Sequence, residues 1–136
     1  MWIDNRLNEQ KVLRERELLV RGHAPVLYDE LWKQILESVN YAQKKAMSVG
    51  TNGSQEDRIV WMSSESMGER RELHIRLAGD RKTISASGPG IELRFDLDIC
   101  DDGLLCLKNS NGVRASNEFA AEQVLDPFFF PELHAK

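Results

Sequence analysis

Between Pro25 and Gly50, apolar side chains recur at steps of three and four. Tyr28, Leu31, Trp32, Ile35, Val39, Ala42 and Ala46 trace one stripe, the signature of an amphipathic helix. Asp29, Glu30, Lys33, Glu37, Asn40 and Lys44 fall on the opposite face. Pro25 suits a first helical turn, Lys44 and Lys45 a last one, and Gly50 a close. Upstream, Asn5 to Val20 is rich in helix formers but has no single stripe. Leu7 and Leu18 share a side, whereas Val12 and Leu13 project elsewhere. A separate helper helix is expected there, broken before "RGHAP", and its scattered apolar residues suit contact with a second chain.

After the loop-like "GTNGSQED" the period changes to two. "ELHIRLAG" sets Leu73, Ile75 and Leu77 against Glu72, His74 and Arg76. "KTISASG" sets Ile84 and Ala86 against Thr83, Ser85 and Ser87. "IELRFDLDI" sets Ile91, Leu93, Phe95, Leu97 and Ile99 against Glu92, Arg94, Asp96 and Asp98. Such alternation predicts antiparallel strands with one buried face. "RIVWMSS" and "LLCLK", apolar on both faces, complete a meander of about five strands. A Gly79-Asp80 turn would pair Ile75 with Ile84 and Leu73 with Ala86, and "GPGI" would pair Ile84 with Phe95 and Ala86 with Leu93. The small hydroxyls of Thr83, Ser85 and Ser87, between longer charged neighbours, form a shallow polar trough on the outer face.

Ser116 and Asn117 are candidate caps for a short helix, "EFAAEQVL", which Asp126-Pro127 is expected to end. Some apolar residues exceed what this plan buries. Val60, Met62, Leu105 and Leu107 are expected on the sheet face that is polar in its middle. Phe128, Phe129 and Phe130 cannot all point inward from an extended tail, although a helical tail would tuck them into the core. Self-association is the expected outlet for this surplus, with Phe129→Ser expected to loosen it.

The stretch richest in candidate chemistry is "FDLDICDDG", Phe95 to Gly103. A calcium loop starting at Asp98 would place Cys100 third and Asn109 twelfth, where oxygen ligands and a bidentate glutamate are needed. A zinc site lacks a nearby histidine. The stretch therefore reads as a strand entering a tight turn at Asp102-Gly103. In that hairpin Cys106 falls near Ile99 or Leu97 on the buried face and Cys100 on the outer face, so two free thiols are expected. His23, His74 and His134 are scattered, and no catalytic or phosphate-binding motif occurs.

The chain has 136 residues, a mass of 15.6 kDa, a net charge of −4 and basic residues interleaved with acidic ones. That balance disfavours nucleic acid and anionic membrane as partners. No apolar stretch would span a bilayer, and "MWIDNRLNEQ" lacks the pattern of a signal peptide, so a cytoplasmic location is expected. The resulting picture is a single α+β domain over 1–136. It has a helical part at about 5–49, a meander at about 57–115, and a C-terminal helix and tail at about 116–136, with the helices on one sheet face. No catalytic, cofactor-binding or metal-binding residue is assigned. The functional expectation is a non-enzymatic interaction or regulatory module that partners itself, as a homodimer, or another protein. The alternative is a small-molecule-binding protein or enzyme with a pocket lined by Tyr28, Trp32, Trp61 and Phe95.

Overall fold

A computed structural model describes residues 1–63 and 70–134. It has an α+β fold: one long helix, α1 (Trp2–Lys44), then a sheet, then α2 (Asn117–Phe129) and a single turn, α3 (Pro131–His134). Seven strands follow one another in the sheet in chain order, all antiparallel: β1 (Val49–Gly53), β2 (Asp57–Ser63), β3 (Arg70–Leu77), β4 (Thr83–Gly88), β5 (Ile91–Ile99), β6 (Leu105–Lys108) and β7 (Arg114–Ala115). The five expected strands are present. The loop-like glycine segment supplies an additional one, β1, and Arg114–Ala115 closes the far edge.

The helical stripe lies where its periodicity put it, but α1 is not broken. Val20, Ala24, Tyr28, Leu31, Ile35, Val39 and Ala42 are all buried, so the packed face runs straight through Pro25. Proline there removes the amide that would have bonded the Arg21 carbonyl, and the Arg81 guanidinium approaches that oxygen at 3.5 Å. Burial on both sides of Pro25 outweighs its local preference for a first turn. The helix ends at Lys44, before Gly50, and Ala46 takes a left-handed conformation outside it. Gly50 serves β1 instead. A Cβ there would come within 2.5 Å of the Trp61 ring, so only glycine lets that indole lie flat on its neighbour strand.

The β4–β5 register is the expected one, Ile84 against Phe95 and Ala86 against Leu93, about the Pro89-Gly90 turn. The β3–β4 register is shifted by two residues. Ile75 meets Ala86 and Leu77 meets Ile84, because the connection spans Gly79 to Lys82 and closes through Ala78 and Thr83. A two-residue shift keeps every side chain on its expected face.

The β5–β6 connection differs by one residue, which matters more. Cys100 accepts from Gly103 and donates to Leu104, leaving a three-residue loop with Gly103 at φ 78° rather than a two-residue turn. Leu107 therefore meets Leu97, and Leu105 meets Ile99, on the core side. Cys106 meets Asp98 and so shares a face with Cys100. Two expectations fall together. The leucines are not on the outer face, and the cysteines are not free thiols: they are joined as a disulfide with Cα atoms 6.0 Å apart. In β2 the same correction holds, since Val60 pairs with Leu73 inside and Met62 pairs with Arg71.

Ser116 caps α2 by accepting from the Phe119 amide. The helix passes through Pro127 instead of stopping at Asp126. Its last turn is held by Arg71, which donates to the Phe128 carbonyl at 3.0 Å and lies 5.2 Å from the Phe128 ring centre, a cation where a helix end favours one. Helical rather than extended geometry puts Phe128 and Phe129 in the core, with Phe130 partly exposed. Phe129 thus belongs to the hydrophobic core that joins both helices to the sheet, and Phe129→Ser would damage the fold rather than loosen an interface.

Candidate functional site

The first feature outside the core is the N-terminal two-fifths of α1. Every residue from Met1 to Leu19 is exposed, and burial begins at Val20. This arm carries Trp2, Ile3, Leu7, Val12, Leu13, Leu18 and Leu19, with Trp2 and Leu18 each 70% exposed. Its 18 residues extend about 27 Å. Charge along it is uneven. Asp4 and Glu9 are matched by Arg6 and the N-terminal amine, which lies 3.8 Å from Asp4, in the outer half, while Lys11, Arg14 and Arg16 outnumber Glu15 and Glu17 nearer the sheet. Arg16 anchors its base, donating to the Asp98 carboxylate at 3.0 Å and to the Ile99 carbonyl at 2.8 Å.

The second feature is a cleft of about 760 Å³ where α1 crosses one end of the sheet, bordered by Pro25, Tyr28, Arg58, Arg76 and Arg81. Arg58, only 9% exposed, lies under α1 with its guanidinium 4.2 Å from the Tyr28 ring centre and bonded to Asp29 at 2.5 Å. The Tyr28 hydroxyl donates to the Ile75 carbonyl, and burial pushes its pKa up to about 12, so it stays protonated. On the outer rim Asp57 accepts from Arg76 Nε and Nη2 at 3.0 and 3.1 Å and faces His74 Nδ1 at 3.1 Å. The Arg76 hydrogen bond, with His74 adding to it, holds the Asp57 carboxyl below its ordinary value.

The four aromatics of the expected pocket do not converge. Tyr28 and Phe95 are core residues, Trp32 is partly buried beside Arg58, and Trp61 lies on the far sheet face over Gly50 beneath Arg70. The polar trough is present, with Ser85 between Arg76 and Arg94 and Ser87 between His74 and Glu92. Within it the Ser87 hydroxyl donates to the Glu92 carboxylate at 2.8 Å. Three of the four carboxylates of "FDLDICDDG" bond to cations of the fold: Asp96 to Arg94, Asp98 to Arg16 and Lys108, and Asp102 to Arg114. A further groove of about 600 Å³ lies between α1 and α2, with Tyr41 and Phe130 on its sides and Glu118, Glu122 and Asp126 along its edge.

The cleft was hidden from sequence reasoning because Arg58, Arg76 and Arg81 sit on three different elements. Its one local signal was a charged residue at an inward position of β2. Among the described residues no helix is long and apolar enough to cross a membrane. Comparison with protein-family models, with curated proteins and with solved structures finds no match to this chain.

Proposed function

We propose that the protein works as a non-enzymatic interaction module that pairs with a second copy of itself through the α1 arm. The observation that carries this reading is the arm: a helical stretch with seven large apolar side chains, none of them buried against the described residues of its own chain. A helix of that length is marginal in water unless its apolar surface is covered. An antiparallel, twofold pairing would set Asp4 and Glu9 of each arm along Lys11, Arg14 and Arg16 of the other. A parallel pairing would set like charge on like. The cytoplasmic location expected from the sequence belongs to the same proposal. It has a consequence, since a reducing cytosol would hold Cys100 and Cys106 as thiols.

Light scattering on the full chain tests the pairing. The expected mass is twice 15.6 kDa at micromolar concentration, falling to the single-chain value in a Leu7→Glu, Leu18→Glu variant with unchanged circular dichroism. A single-chain mass for the unaltered protein would overturn the reading.

A further inference from the structure

We infer that the cleft between α1 and the β2–β3 end of the sheet binds a small oxyanion-bearing molecule, held by Arg58 and Arg81. Arg58 contributes a buried guanidinium. One terminal nitrogen bonds Asp29, while the other, Nη1, is fully buried and has no acceptor among the described residues. An unpaired buried donor on a cation is rare in a folded protein, because desolvation without a partner is unfavourable. An oxygen acceptor entering from the cleft would complete it.

Arg81 supplies the second, independent observation. It lies in the β3–β4 turn at φ 58°, a conformation that suits glycine or asparagine and strains a long side chain. That position brings its guanidinium to the border of the cleft, where it donates to the Arg21 carbonyl at 3.5 Å. The remaining donors of such a fork match the paired oxygens of a carboxylate or phosphate. The local acids do not fill the place. Asp57 is taken by Arg76 and His74, Asp29 by Arg58, and Glu56 is exposed.

Calorimetry on the full chain at fixed ionic strength decides this, with inorganic phosphate titrated in one arm and citrate in the other. The expected result is a saturable one-site isotherm in at least one arm, and the stronger arm identifies the oxyanion. Arg58→Gln risks the fold, so the diagnostic variant is Arg81→Gly, which relieves the left-handed strain and should keep or raise the unfolding midpoint. In that variant binding should weaken at least fivefold. Flat titrations in both arms would overturn the inference, as would a smaller weakening in Arg81→Gly.

Discussion

Ile84 and Ser85 are adjacent, yet the sheet places them in opposite environments. Ile84 is 1% exposed between Leu77 and Phe95, whereas Ser85 is exposed between Arg76 and Arg94. Ile84→Asp would bury an unpaired carboxylate, a loss of about 4 kcal/mol or more against a domain stability of roughly 5–15 kcal/mol. Ser85→Asp sets the same group between two guanidiniums and should gain a few tenths of a kcal/mol at most. Urea unfolding of both variants checks the contrast, and similar losses would refute the assigned register. Asp57 governs a second residue-scale effect. Its folded-state pKa is lowered by the Arg76 hydrogen bond, so its stabilising contribution is present above the unfolded value of about 4 and is lost as pH falls through the lower folded value. The acid limb of the stability curve should therefore be shallower in Asp57→Asn than in the unaltered chain, with the two converging at low pH.

Elements were legible where one physical signal dominated. Tyr28 to Ala42 could be read because a single stripe meets a single surface, and β4–β5 could be read because Pro89-Gly90 admits few turns. Elsewhere a local rule lost to packing. Pro25 and Pro127 both lie within helices because burial on either side holds the backbone, and Arg81 and Arg71 reach carbonyls near them. The β5–β6 hairpin shows how little separates a right from a wrong reading. One additional loop residue carried Leu105 and Leu107 inward and brought Cys106 beside Cys100. The disulfide closes a loop of sequence separation 6, for which chain entropy implies about 2 kcal/mol of stabilisation. Cys100→Ser should lower stability by that amount in oxidising buffer and by nothing further when reductant is added. An equal response to reductant in variant and unaltered chains would show that the bond contributes nothing.

Across the whole molecule, order is unevenly supported. The face of the sheet and the inner three-fifths of α1 share one core, while the apolar side chains of the arm lie outside that core, and Arg16 and Glu17 at its base bond to the sheet side. Local opening free energies follow that division, high where apolar contacts are dense and near zero where backbone hydrogen bonds face water. Pairing of arms, as proposed, would change the balance by mass action, because it would cover the side that carries Leu7 and Leu18. Amide exchange across α1 should therefore split at about Val20. Protection beyond it should be independent of protein concentration. Protection of residues 5–19 should rise with concentration over a roughly hundredfold range, following the fraction of paired arms. Added salt should reduce that protection, since the outer acids and inner bases of opposite arms attract through water and are screened. Uniform, concentration-independent exchange over residues 5–19 would show an arm that stands alone, and would remove the basis for reading this protein as a self-pairing module.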